Sequence, residues 1–246
     1  MPGLSSEPKF LEPLLGVAFD LDGTLVLSHH DFGRIRATVV RIAERHGVLP
    51  GHLSVREPVH RIVEQAREEL RTRGVPDGEL WRFEAEYHHA IDEIEMEALP
   101  RTVARSGAAT LLRGLGARGD RLGVLTRSSE AFARAALART GLGAHFGYLR
   151  SRSTPGPAKP SPEALLALLQ EMAVPIERAL FVGDNRIDTE CAVAAGVRFY
   201  GVLPDASEHA DLAEEADRFR SSGASAIARD LPELAGYLAA APAPTP

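Results

Sequence analysis

Short apolar runs that alternate with helical patterns restrict this chain's fold more than any other feature of its sequence. The runs LLGVAF (14–19), RLGVLT (121–126), FGYLRS (146–151), ALFVGD (179–184) and VRFYGVL (197–203) each have the length and composition of a buried strand. Between the later runs lie SEAFARAALARTG (129–141), SPEALLALLQEMA (161–173) and DTECAVAAG (188–196), the first and last closing on Gly141 and Gly196 as helix stops. Strands and helices in this order predict an α/β fold with a doubly wound parallel sheet. The stretch 28–100 breaks the rhythm. It offers no strand and reads as three amphipathic helices over about 30–46, 55–73 and 77–98, separated by Gly47, Pro50, Gly51, Gly74, Pro76 and Gly78. The expected organisation is a discontinuous core, 1–27 and 101–238, an inserted all-helical domain, 28–100, and a flexible Ala/Pro tail, 239–246.

Composition narrows the partners. With a net charge of −6 and arginines interleaved with glutamates, the chain lacks the basic footprint of a nucleic-acid binder. No stretch approaches the length of a membrane span, and acids and prolines interrupt the N-terminal region where a signal peptide needs an unbroken apolar segment. The only cysteine, Cys191, excludes an internal disulfide and a multi-cysteine zinc site, and its Ala-rich setting reads as core. A cytoplasmic location is expected.

In open α/β sheets ligands bind outside the carboxyl ends of the strands. The first run ends in DLDGTL with Asp20 and Asp22, the second in Thr126-Arg127-Ser128, and the fourth in GDNRID with Asp184 and Asp188. Two carboxylates about 4 Å apart repel by roughly 4 kcal/mol at an effective dielectric near 20, so Asp20, Asp22 and Asp184 on one rim require a cation. Oxygen donors with no His or Cys beside them suit Mg2+. Asp20 and Asp22 fall on one side of an extended backbone, after which Gly23 permits a sharp turn and Thr24 adds a hydroxyl. In such a pair Asp20 could attack phosphorus, and Asp22 could protonate the leaving alkoxide and then activate water.

Lysine is rare here: of 28 basic residues only Lys9 and Lys159 are lysine. Lys159 precedes Pro160, which favours extended backbone, and Ser161 and Pro162 read as N-cap and first residue of the next helix. A compact ammonium at this point could neutralise Asp20 and phosphoryl oxygens together, where a guanidinium would crowd the metal. Asp188, a turn beyond Asp184, could orient Lys159 or a metal-bound water.

DLDGTL, VLTRS, Lys159-Pro160 and GDNRIDTECAVAAG, in that order at the ends of predicted strands, resemble the four motifs of the haloacid dehalogenase-like superfamily. The resemblance covers 15–27 and about 101–235, and the helical insert is similar to that superfamily's cap domain. It implies a Rossmann-like core whose cap closes over the site, and a Mg2+-dependent phosphatase working through an aspartyl-phosphate on a small phosphorylated metabolite. Asp20 is then nucleophile and metal ligand, and Asp22 is acid/base and ligand through its backbone carbonyl. Thr126 binds phosphate, Lys159 balances charge and Asp184 binds metal, with Gly23, Arg127, Ser128 and Asp188 around them.

Other residues choose among branches of the superfamily. Dehalogenase relatives replace the acid at Asp22, and phosphonate-cleaving ones need a cap lysine, which 28–100 lacks. Gly183 stands where mutase relatives carry a carboxylate, so the pattern looks most like phosphoglycolate phosphatase-type hydrolases. The alternatives are a sugar-phosphate mutase and a catalytically silent binding module. VLSHHDFGRIR lacks the acidic residue that commonly follows DGTL, which leaves open whether His29 and His30 meet the leaving group or are partly solvated structure. Arg127 and Arg186 stand between meeting a second substrate anion and pairing with rim acids. His88 and His89 have no carboxylate arrangement suggesting a metal. Trp81, Phe83 and Tyr87 read as packing.

Overall fold

Along β1 (Gly16–Phe19) every residue is buried, and its side chains divide strictly between the two faces. Val17 and Phe19 enter one hydrophobic core and Ala18 the other. This double burial is the mark of a sheet covered by helices on both sides. The computed structural model describes residues 13–205 and 211–240.

After β1 the chain forms β2 (Val26–Leu27), the helices α1 (Phe32–Arg45), α2 (Val59–Thr72) and α3 (Asp77–Ala98), then β3 (Val103–Ala104) and α4 (Ala108–Ala117). From there the alternation is regular: β4 (Arg121–Leu125), α5 (Glu130–Arg139), β5 (Tyr148–Arg150), α6 (Pro162–Glu171), β6 (Ala179–Gly183) and α7 (Arg186–Ala194). It closes with β7 (Arg198–Val202), α8 (Leu212–Ser221), β8 (Ala226–Ala228) and α9 (Leu231–Ala239). Six strands form one sheet in the order β5-β4-β1-β6-β7-β8, with every pairing parallel. This is the Rossmann-like α/β fold. Apolar residues of α4, α5 and α9 cover one face and those of α6, α7 and α8 the other.

The chain divides into two compact units, one running to Ser28 and resuming at Thr102, the other His29–Arg101. Ser28 and Arg101 thus fall on the opposite sides of the expected junctions. Ser28 is hydrogen-bonded to Asp22, and Arg101 ends a 3-10 turn that continues α3. The helical unit closes on its own core, in which Ile35, Val39 and Ile42 of α1 meet Ile62 and Leu70 of α2 and Phe83, Tyr87 and Ile91 of α3. Trp81 does not share in it and is 70% exposed, because it lies two residues from Phe83 and so points away from the Phe83/Tyr87 stripe. His88 contacts the Tyr87 hydroxyl at 2.7 Å and His89 faces Glu93 at 3.5 Å.

Several elements carry too little pattern to be read from the sequence. β2 and β3 pair antiparallel over two residues each, and β8 is three residues long. α4 and α9 contain internal glycines, Gly114, Gly116 and Gly236, which weaken a helical reading. α7 begins two residues before the expected start, because Asn185 caps it by accepting from Asp188 N at 3.3 Å. Ala239 ends α9 rather than opening the tail. The expected tail over 241–246 and the N-terminal stretch with Lys9 lie outside the described residues. Among the described residues no helix is long and apolar enough to cross a membrane.

Cys191 is fully buried, and its thiol donates to Ser161 O at 3.2 Å. Burial pushes the thiol up to about 12, so the reactive thiolate is scarce near neutrality. The native protein is expected to resist a thiol reagent at pH 8 and to react fully in denaturant. Since burial raises the folded value above the unfolded one of 9.0, stability is expected to fall as pH climbs from about 9 toward 12, which denaturation midpoints would show.

Candidate active site

The order of the sheet sets the site. Phe19 of β1 is level with Val124 of β4 on one side and Val182 of β6 on the other. Asp20, the next residue, donates its N–H to Val182 O at 2.8 Å. It therefore leaves the sheet between β4 and β6, at the switch point where open α/β sheets form their crevice. Thr126 and Asp184 follow directly on those two neighbouring strands.

Lys159 brings the carboxylates together. Its ammonium, 2% exposed, hydrogen-bonds to Asp20 Oδ1 and stands 2.6 Å from Asp188 Oδ1, with the Phe181 ring centroid 5.5 Å away. Burial alone would lower this ammonium, but Asp188 and Asp20 more than offset it and its pKa is raised. The Lys159–Pro160 peptide is cis. Ser161 occupies the N-cap position of α6 but makes no side-chain cap, and its hydroxyl bonds to Glu163 instead.

Asp184 is the third carboxylate, and it is partly buried. Thr24 Oγ1 donates to its Oδ1 at 2.9 Å, yet burial and the charges of Asp20 and Asp188 hold it well above the usual carboxylate range. Asp188, in the first turn of α7, is pushed up to about 7, by burial first, against the pull of Lys159 and with Asp20 adding to the rise. Asp20, Asp184 and Asp188 each offer an oxygen within 4.8 Å of the others. Lys159 pairs with two of the three carboxylates, so the donor set and its excess negative charge fit a hard divalent cation.

Backbone yields to these carboxylates at two glycines. Gly23 has φ +84°, and a Cβ on it would lie 2.1 Å from Asp184 Oδ2. A Cβ on Gly183 would lie 2.5 Å from Asp188 Oδ2.

The carboxylate of Asp22 stands outside the Asp20/Asp184/Asp188 cluster. Its Oδ1 accepts from Ser28 N at 3.1 Å and from Ser28 Oγ. Ser28 was not singled out in the sequence, and its only signal is a hydroxyl directly after β2. Thr126 is buried at the end of β4, where its Oγ1 accepts from Ser128 N at 3.1 Å. Arg127 donates to the main-chain carbonyl of Lys159. Arg186 turns outward to Glu190 at 2.6 Å. His29, at φ +54°, and His30 belong to the helical unit.

A parallel sheet whose switch point carries this lysine-carboxylate cluster defines a class, and the sequence pattern of the haloacid dehalogenase-like hydrolases matches residues 15–196. The chain belongs to that family. It is 31% identical to a phosphoglycolate phosphatase of Pseudomonas fluorescens, over 81% of this chain and 73% of that protein. A phosphoglycolate phosphatase of Rhodospirillum rubrum is 33% identical, over 74% and 76% of the two chains. The crystal structure of a hydrolase from Pseudomonas syringae shares the fold, with a TM-score of 0.64 at 21% identity over 91% of this chain and 97% of that one.

Lys159→Met is expected to leave Asp20 and Asp188 buried without their cation and to cost roughly 3–5 kcal/mol in denaturant unfolding. Asp184→Asn keeps the Thr24 acceptor and removes a crowded charge. Without metal that variant is expected to melt a few degrees above wild type in thermal unfolding.

Proposed function

We propose that this hydrolase is a Mg2+-dependent phosphatase that cleaves a small, anionic phosphomonoester of the phosphoglycolate type through an aspartyl-phosphate. The observation that carries the reading is the buried Lys159 ammonium between Asp20 and Asp188, beside a third carboxylate that lacks a counter-charge. The names of the curated relatives support the substrate class.

In the first step a carboxylate oxygen of Asp20 forms a bond to phosphorus while the bond from phosphorus to the alcohol oxygen breaks. Asp22, held by Ser28 through one oxygen, gives its proton to that departing oxygen. In the second step water attacks phosphorus, Asp22 takes the water's proton, and the Asp20–phosphorus bond breaks to release phosphate, restoring Asp20 as a carboxylate and Asp22 as a carboxylic acid. Lys159 holds Asp20 in place for the attack, and Thr126 is the hydroxyl donor assigned to the phosphoryl oxygens.

Asp20, Asp184 and the main-chain carbonyl of Asp22 are the proposed holders of Mg2+, with Asp188 alongside. When bound, the ion neutralises the crowded carboxylates and the phosphoryl oxygens together. Gly183 favours a phosphatase over a mutase, because any side chain there would displace Asp188.

Phosphate release from a panel of phosphomonoesters is the test. Release is expected with Mg2+, lost with chelator and absent in Asp20→Asn; a phosphoglycolate-like acid should lead the panel. Retained turnover in Asp20→Asn would sink the mechanism. Lys159→Arg is expected to lower kcat at least about a hundredfold despite keeping the charge, since the broader planar fork has no room in the buried space of an ammonium held between Asp20 and Asp188.

A further inference from the structure

Lys159 hangs from a loop with few hydrogen bonds of its own. Between Thr154 and Lys159-Pro160 the sequence TPGPAKP places prolines at 155, 157 and 160, none of which has an N–H to give, and residues 155–157 are exposed. A lysine side chain has several freely rotating bonds, so its ammonium is well placed only if the backbone behind it is. Ser161 N donates to Ala158 O at 3.0 Å across the Lys159-Pro160 step, and two further carbonyls are held from outside, by arginine. Arg150 Nη2 donates to Pro155 O at 3.0 Å while its Nη1 pairs with Glu171 at 2.5 Å. Arg127 Nη1 donates to Lys159 O.

Arg127 is itself well anchored. It follows Thr126 at the end of β4, and its own carbonyl accepts from Arg152 Nη1 at 2.9 Å. Arg152 N also donates to Ser128 O at 3.0 Å. The strand end that carries Thr126 and the loop that carries Lys159 are thus one hydrogen-bonded piece, with the Arg127 side chain as the link. Arg127 thus holds the carbonyl directly behind the lysine through its Nη1.

We infer that Arg127 is a positioning residue: it sets where the Lys159 ammonium stands, through that lysine's main-chain carbonyl. The catalytic consequence rests on the phosphatase reading, whereas the positioning itself does not. Displacement of a reacting group by about 1 Å costs on the order of a hundredfold in rate, so losing the link should lower kcat rather than raise KM.

Having only two lysines makes the link directly measurable. Wild type, Arg127→Met and Arg127→Lys are acetylated in the native state with acetic anhydride. Labelling of Lys159 is read against Lys9 by mass spectrometry, with Cys191 alkylation reporting global opening. In Arg127→Met the relative labelling of Lys159 is expected to rise about tenfold with Cys191 still protected, and Arg127→Lys should recover part of the protection. On the best ester of the panel, kcat should fall roughly ten- to a hundredfold with KM within about twofold. Unchanged Lys159 labelling, or a raised KM at unchanged kcat, overturns the assignment. If Cys191 also opens in Arg127→Met, the comparison is made on Arg127→Lys. If wild type hydrolyses no ester, the phosphatase reading falls and the labelling alone decides the link.

Discussion

An ammonium buried between two carboxylates is the constraint on which the organisation of the core depends. Removing a charge from water costs several kcal/mol per ion even after relaxation, so a lysine 2% exposed persists only where its partners are held tightly against it. Asp20 comes from the end of β1, Asp188 from the first turn of α7, and Lys159 from the loop that enters α6. One ion cluster therefore ties together three crossovers of the sheet. Each partner is further fixed by its own element: Asp20 by its N–H to Val182 O, Asp188 by Asn185 at the start of α7.

The cluster is nevertheless unbalanced, and the imbalance is what makes it a site. A structural ion pair would match charges, whereas here Asp184 adds a third carboxylate, which accepts from the Thr24 hydroxyl. Gly23 and Gly183 bring backbone so near the carboxylates that no side chain fits at either position. Their cost in backbone freedom is tolerated because the acids must lie that close. Such accumulated negative charge is suited to a divalent cation and to a phosphoryl group carried beside it.

The arginines have a different task from the lysine. A compact ammonium serves where three carboxylates crowd into a small space, and planar forks serve where carbonyls of separate segments must be joined. Arg105 shows the same use: buried, it donates to Gly23 O and to Leu203 O and so links the turn after Asp22 to the end of β7. Arg127, Arg150 and Arg152 do likewise around the Lys159 loop. Around the site arginines thus join backbone while the one interior lysine balances charge; elsewhere, as at Arg186 and Glu190, arginines pair with acids.

The strands that build the site were legible because each is a short apolar run closed by a polar residue, from Phe19-Asp20 to Gly183-Asp184. The helices of the insert were legible from a 3.6-residue apolar period. β2, β3 and β8 were not, since two or three residues carry no period, and Trp81 shows that an aromatic near a stripe need not belong to it. For the site, residue types and order along the chain brought Asp20, Asp184 and Lys159 to the sheet's rim, but the Asp22 carboxylate, expected beside them, lies outside the cluster and Asp188 takes its place. Which atoms they touch was decided only by the tertiary structure: the Asp22 carboxylate to Ser28, Arg127 to the Lys159 carbonyl, Arg186 outward to Glu190. The physical reason is range. Period and strand ends are local properties of the sequence, whereas a hydrogen bond between residues as distant as Asp20 and Lys159 depends on how the strands and crossovers pack around them.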